Sequence, residues 1–180
     1  MTKKPTQTIA YASILVAFGI LIPMIMPVKI IIGPASFTLA SHLPLFLATF
    51  ISLPVAIFVA LGTTLGFFLA GFPIVIVMRA FSHLAFAGIA AVLIKKRPEI
   101  LQNPVQLVPF ALIINLIHAL AEFLVVLLLT RTAHTEMSYI WSILGLVGLG
   151  TLIHGMVDFF LASWLWVTLT KKLGLKIATN

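Results

Sequence analysis

The sequence predicts an all-α integral membrane protein of six transmembrane helices, with an ordered apolar loop between the first two and both termini cytoplasmic. Three observations predict it. Of 180 residues, 62% are hydrophobic and 8% charged, whereas a soluble domain carries roughly 25% charged residues. The apolar residues fall in runs near the length needed to cross a bilayer, about 20 residues of helix. The basic residues stand mostly at the ends of those runs, where the positive-inside rule puts them. The net charge of +7 is thus a topology signal, because a nucleic-acid footprint needs a basic stripe on a water-facing surface. The absence of Cys excludes disulfides, thiolate catalysis and Cys-based metal sites.

The first span covers residues 9–26, preceded by Lys3 and Lys4. It reads as a retained helix rather than a signal peptide, since it is long for an h-region and no A-x-A-like site follows it. Between Pro27 and Phe37, Lys29, Gly33 and Pro34 interrupt an apolar stretch, which is too short for a helix and reads as an ordered loop folding back on the bundle. Residues 37–52 form the second span. Ser52 and Pro54 supply an N-cap and first-turn proline for a third over 54–70, where Gly62, Gly66 and Ala70 make a stripe for close helix approach. Gly71-Phe72-Pro73 turns into a fourth span over 73–94. Lys95, Lys96 and Arg97 close it, and 105–130 and 139–170 supply the fifth and sixth. No composition shift or repeat marks a second domain, so residues 1–180 read as one membrane domain.

Six spans put both termini on one side. Lys3, Lys4, Lys95, Lys96, Arg97, Lys171, Lys172 and Lys176 share that side, against Lys29 and Arg131, which makes it cytoplasmic. Tyr139 and Trp141 at one end of the sixth span, and Trp164 and Trp166 near the other, mark two interfacial belts. Depth follows from orientation. His42 and Arg79 fall in the outer half, His83, His118 and His154 near the midplane, Glu122 a turn outward of His118 and Asp158 a turn inward. The pairs Arg79/His83, His118/Glu122 and His154/Asp158 are each spaced four apart on one helical face. Asn115, His118 and Glu122 form an i, i+3, i+7 polar stripe.

An arginine in mid-membrane costs roughly 2.5–3.5 kcal/mol on insertion scales, and intramembrane ionisable groups mark function by default. The bland alternative is that they simply pair, Arg79 with Glu122 or Asp158 and each histidine with the acid a turn along. Three chemistries fit the set. His118, Glu122, His154 and Asp158 are ligand types for Zn, Mn or Fe, but no HExxH signature is present and Arg79 opposes a cation. The acids and histidines fit a proton relay in a coupled carrier. Arg79 with His42, Asn115 and Lys29 fits a small anionic or heteroaromatic solute, with Arg offering a carboxylate its fork and His and Asn meeting a ring nitrogen. This last reading uses the outward-opening cluster best. It also raises a charge problem, because Glu122 and Asp158 outnumber Arg79 when the histidines are neutral.

The stretches IPMIMPVKIIIGPASFTLASHLPLFLATFIS and GTTLGFFLAGFPIVIVMRAFSH, in a six-span chain of this size, resemble the S components of energy-coupling factor transporters, most closely the niacin-specific branch. The resemblance implies a bacterial cell-membrane subunit, not an enzyme, that binds a vitamin from outside. Its implied partners are a membrane scaffold (T) subunit and two ATPase (A) subunits. ATP is used by those partners, and this chain binds no cofactor or metal of its own; no G-x-x-x-x-G-K-[ST] loop occurs in it. The family's A-x-x-x-A docking motif on the first helix reads Ser13-Ile-Leu-Val-Ala17 here, a change that still permits close helix approach. On this reading nicotinate is the ligand. Arg79 meets the carboxylate, Glu122 borders the site, and His42, His83, Asn115 and His118 meet the ring or orient Arg79. The loop around Lys29 is the lid. The alternatives are another vitamin in the same family, a proton-coupled carrier and a membrane metalloenzyme.

Overall fold

A computed structural model describes residues 5–172. Lys3, Lys4 and Lys176, and the side chain of Lys172, lie outside the described residues. Helix α1 (Pro5–Ile25) leads into a two-stranded antiparallel hairpin, β1 (Lys29–Ile32) and β2 (Ala35–Thr38), followed by α2 (Leu43–Ile51) and α3 (Leu53–Leu69). Next come α4 (Ile74–Lys96), a 3₁₀ turn (Pro98–Leu101) and α5 (Pro104–Thr130). The last run is continuous from Met137 to Lys171, built from α6 (Met137–Ile143), a π-helical stretch (Leu144–Leu149), α7 (Gly150–Val167) and a π-helical end (Thr168–Lys172).

Among the described residues, four helices are long and apolar enough to cross a membrane: Pro5–Ile25, Ile74–Lys96, Pro104–Thr130 and Met137–Lys171; Leu53–Leu69 is a shorter apolar helix. The protein is an all-α, multi-pass membrane protein apart from its hairpin. The expected second span over 37–52 is the main correction. Residues 35–38 are strand, and the helix over Leu43–Ile51 has only nine residues, about 14 Å at 1.5 Å per residue. Strand advances about 3.3 Å per residue, so the hairpin carries the chain into the bundle faster than a helix would. The helix therefore begins at depth.

The loop expected between the first two spans is this hairpin. Its register pairs Ile32 with Ala35 across Gly33-Pro34, and Gly33 takes φ +55°, a conformation glycine adopts without a Cβ penalty. Ala35 is fully buried against Val126, Ile143 and Val147, which is where the apolar loop folds back. The ring of Phe37 lies on Gly150, where an added Cβ would stand 2.6 Å from it. Ile30, Ile31 and Ile32 remain exposed.

The main core runs through α2, α3, α4, α5 and α7, with Phe46, Phe86 and Phe159 at its centre. The α2–α3 corner at Ser52 lies beside Ile94 and Lys95 of α4, and Phe50 of α2 meets Trp166 of α7 edge-on at 5.8 Å. The start of α3, the end of α4 and the end of α7 therefore share one end of the bundle, with the hairpin toward the other. Trp166 is thus partly packed inward, whereas Trp141 and Trp164 are exposed. Ser52 holds the N-cap position of α3, but its hydroxyl makes no capping bond.

The small-residue stripe serves as expected at Gly62 and Gly66, while Ala70 lies exposed at the C-cap of α3. A Cβ on Gly62 would stand 2.6 Å from a methyl of Val16, and one on Gly66 would collide with Ile20, so α1 lies directly on α3. Val16 is β-branched and cannot swing aside cheaply. Gly62→Leu is therefore expected to destabilise the protein by about 1–3 kcal/mol, the usual cost of overpacking, seen as a lowered Tm in detergent. An unchanged Tm would mean that α1 steps away freely.

Candidate functional site

Arg79 projects from α4 toward the hairpin and α5, with 4% of its surface exposed. Its Nη2 donates to Glu122 Oε2 at 2.8 Å and to the Ser36 carbonyl at 3.3 Å. Its Nη1 donates to the Pro34 carbonyl and to Ser36 Oγ at 3.3 and 3.2 Å. The acid that Arg79 touches is Glu122, not Asp158. Ion pair and hairpin carbonyls together offset the cost of burying the guanidinium, since a buried charge needs both a counter-charge and hydrogen bonds.

Glu122 is the hub. Besides Arg79, its Oε2 accepts from Thr151 Oγ at 2.6 Å, and its Oε1 accepts from His83 Nε2 at 2.9 Å with His118 Nε2 at 3.5 Å. Four elements thus meet on one carboxylate: the hairpin through Arg79, then α4, α5 and α7.

Asp158 holds a second set. Its Oδ1 accepts from the Ala40 backbone N–H and its Oδ2 from that of His42, each at 2.8 Å. His42 Nδ1 lies 3.2 Å from Oδ2. Ala40 stands at φ 64°, a left-handed conformation that an alanine rarely adopts, and Asp158 fixes it. The acid also places negative charge at the start of α2, where the helix dipole favours it. This corrects the depth read for His42. It reaches the level of Asp158, because the six residues preceding α2 are strand and turn rather than helix.

The four histidines 42, 83, 118 and 154 cluster. His42 lies with ring centroids 4.9 Å from His83, 4.6 Å from His118 and 5.0 Å from His154. Ser41 Oγ bridges to His154 Nε2 at 3.1 Å. Above the cluster a cavity of about 180 Å³ opens under the hairpin. Pockets for drug-sized ligands hold roughly 300–1,000 Å³, so this one suits a single small ring. Its polar wall includes Ser36, Thr38, Ser41, His42, Thr63, Arg79, His83 and Glu122, with Lys29 exposed at the rim; its apolar wall includes Leu45 and the stacked rings of Phe67 and Phe72, 4.6 Å apart.

Of the residues singled out in the sequence, Lys29, His42, Arg79, His83 and Glu122 border the cavity. Asn115 and His118 do not. Asn115 donates to the Ala111 carbonyl of its own helix at 2.9 Å, and both side chains press on Gly155, whose missing Cβ makes room for them. Ser13 and Ala17 lie apart, in an exposed apolar groove with Val16, Ile20 and Phe58. However, α1 is not remote from the cavity, because Gly19 and Pro23 border it.

Sequence reasoning missed Thr151, Ser36 and Ser41. Thr151, His154 and Asp158 repeat the i, i+3, i+7 spacing of Asn115, His118 and Glu122, and that signal would have found the threonine. Ser36 and Thr38 share one face of β2, and both border the cavity, but this shows only once the hairpin is recognised.

Fold and site define a membrane protein with a small cavity among its helices, walled by cationic, acidic and imidazole groups. No protein-family profile and no solved structure matches the chain. The chain is 43% identical over 171 residues, 94% of its own length and 77% of the relative's, to the niacin transporter NiaX of Lactococcus lactis subsp. cremoris (strain MG1363). It belongs to that family, the niacin branch to which the two quoted stretches pointed, and is a transport protein rather than an enzyme.

Asp158→Ala leaves the buried N–H of His42 and the part-buried N–H of Ala40 without acceptors, at about 1–3 kcal/mol for the buried one and less for the other. The variant is expected to unfold at lower temperature and to be cut faster by protease near residues 39–42, with Asp158→Asn intermediate. Parental stability in Asp158→Ala would remove Asp158 as the anchor of α2.

Proposed function

We propose that this chain is the vitamin-binding S component of an energy-coupling factor transporter and that its ligand is nicotinate. The observation that carries the reading is the 43% identity to a niacin transporter over 94% of the chain. The cavity supports it chemically. Arg79 takes the carboxylate, at the expense of its longer bonds to the hairpin. His42 and His83 meet the ring nitrogen, and Phe67 and Phe72 cover the ring. Glu122 holds Arg79 and His83 in place, with His118 and Asn115 packed behind as positioning residues. Lys29 stands at the mouth, and the hairpin closes over the ligand.

In this reading residues 1–180 act as one unit, crossing a bacterial cell membrane six times with cytoplasmic termini. The α2–α3 corner counts as the end of a short second pass. The sharing of one bundle end by Lys95, the α2–α3 corner and the end of α7 supports this topology, as does the positive-inside count. Ser13 and Ala17, outward-facing on α1, supply the surface for the scaffold subunit. Two ATPase subunits supply the energy, and this chain binds no nucleotide.

Two predictions test the reading. Arg79→Ala is expected to weaken nicotinate by about 2–5 kcal/mol, the range for truncating one partner of a buried charge pair. Arg79→Lys should also weaken it markedly, because an ammonium cannot reproduce the planar fork. Nicotinamide, which has no charge for Arg79, should bind the parent poorly and lose much less. Calorimetry on purified protein reads both, with Arg79→Ala also made in a Glu122→Gln background so that an unpaired acid does not confuse folding with binding. A folded Arg79→Ala chain at parental nicotinate affinity would overturn the assignment. Separately, Ser13→Leu or Ala17→Leu should abolish uptake in cells carrying the ATPase module while leaving nicotinate binding to the purified subunit within a few-fold. Parallel loss of both would show that α1 acts on the cavity and not only as a docking surface.

A further inference from the structure

We propose that His42, His83, His118 and Glu122 form a divalent transition-metal site in the floor of the cavity, and that His42 and His83 meet the ring nitrogen of the ligand through this metal rather than directly. The second half rests on the nicotinate reading; the site itself does not. The proposal departs from the sequence-based expectation that the chain binds no metal.

The geometry of the three imidazoles is the first argument. Their ring centroids form a nearly equilateral triangle with sides of 4.9, 4.6 and 4.8 Å, the planes crossing at 70°, 70° and 89°. Three imidazoles on one tetrahedral ion at about 2.0–2.1 Å would hold their centroids roughly 5 Å apart. One donor atom from each of the four residues lies within 4.8 Å of the others. Gathering all four on one ion requires side-chain rotation, with the His83–Glu122 hydrogen bond exchanged for bonds to the metal.

Their partners are the second argument. His42 donates from Nδ1 to Asp158 Oδ2 at 3.2 Å, the carboxylate–histidine arrangement that fixes the tautomer of a metal ligand and leaves Nε2 for the ion. His118 has no exposed surface, and neither of its ring nitrogens has a hydrogen-bond partner. Its Nε2 has only the 3.5 Å approach to Glu122 Oε1, and a fully buried imidazole so poorly satisfied is costly unless something binds it. Glu122 divides its two oxygens, with Oε2 toward Arg79 and Thr151 and Oε1 toward His83 and His118. The carboxylate therefore stands between the guanidinium and the proposed ion, which answers the objection that Arg79 repels a cation.

Charge is the third argument. The charged and titratable groups facing the cluster are His42 on the connection into α2, Arg79 and His83 on α4, His118 and Glu122 on α5, His154 and Asp158 on α7, and solvated Lys29 at the rim. With neutral histidines the two acids outweigh Arg79 by one charge, and a ligand carboxylate widens the deficit to two. A dication closes it. The alternative grouping of His42, His154 and Asp158 is less suited, because backbone N–H groups already occupy both oxygens of Asp158. Three imidazoles and one carboxylate oxygen suit Zn²⁺ or Co²⁺ among the transition metals. His42, His83 and Glu122 border the cavity, so the ion's open side faces the ligand, and zinc accommodates a fifth donor.

The test uses the full chain in detergent, dialysed against chelator and titrated with Zn²⁺ alone and with Co²⁺ alone. The expected result is one ion per chain by elemental analysis, with a Co²⁺ visible spectrum of four- or five-coordinate type. Both should weaken at least tenfold in His118→Ala and in the isosteric His118→Gln, the second guarding against misfolding of the first. Nicotinate should bind the stripped chain at least tenfold more weakly, recover with Zn²⁺ and perturb the Co²⁺ spectrum. A stripped chain that takes up no ion and binds nicotinate at full affinity, with one proton taken up per ligand in buffers of differing ionisation enthalpy, would overturn the proposal in favour of charge balance by protonation. An ion bound at the site with its Co²⁺ spectrum untouched by bound nicotinate would overturn the second half. One ion per chain with no nicotinate binding under either condition would uphold the site and sink the nicotinate reading instead.

Discussion

The ion pair between Arg79 and Glu122, 2.8 Å apart and almost wholly withdrawn from solvent, is the constraint around which the bundle is arranged. Neither charge could stay buried alone, and the pair by itself would still leave a guanidinium with unused donors and a carboxylate with unused lone pairs. The remaining bonds come from elsewhere in the chain: hairpin carbonyls for Arg79, and Thr151 and His83 for Glu122. Because those partners sit on the hairpin, α4 and α7, satisfying one pair fixes the relative positions of the elements that wall the cavity. In a bundle whose helices gain little from apolar contact within lipid, such polar ties and close small-residue contacts carry much of the specificity of packing.

Asp158 does for the connection what Glu122 does for the helices. A helix that begins inside a bundle presents unsatisfied N–H groups, and irregular backbone at membrane depth is tolerated only where protein or a cavity satisfies it. Asp158 accepts the N–H of His42 at the helix start and that of Ala40 in the turn before it, which holds Ala40 in its left-handed conformation and delivers His42 to the floor of the cavity. The short α2 is thus a consequence of the site. A full-length helix there would carry His42 away from His83 and His118.

Much of this was legible in the sequence. The membrane class and a close helix contact along α3 follow from composition, run length and the Gly62–Gly66 spacing, but neither the shortness of α2 nor the choice of α1 as the helix in contact does. The meeting of Arg79 with an acid follows from the cost of leaving either alone. What could not be read was which acid, because an i, i+4 pattern gives a face but not a rotation relative to other helices. The π-helical stretch before Gly150 adds to this, since it changes the phase of the last helix just ahead of Thr151, His154 and Asp158. The hairpin was hidden for another reason. Its sequence is as apolar as a helix, and only the pairing of Ile30 to Ile32 with Ala35 to Phe37 across Gly33-Pro34 distinguishes it. The error in the depth of His42 follows from that one misreading, through the difference in rise between strand and helix.

The same guanidinium that pairs with Glu122 also holds the hairpin by three bonds of 3.2–3.3 Å. These are longer than its bond to the carboxylate, and two of them go to neutral carbonyl oxygens. On the proposed reading a ligand carboxylate competes for the same donors, and charge-assisted bonds outweigh neutral ones roughly twofold. Ligand binding would then exchange hairpin bonds for ligand bonds at Arg79, so that the stability of the closed hairpin depends on what lies beneath it. A ligand shifts such an equilibrium only by the difference in its affinity for the two states. Arg79 supplies that difference, because its contacts with lid and ligand are drawn from one set of donors. On the proposed reading, in which other subunits supply the energy, a coupling of this kind reports occupancy to them.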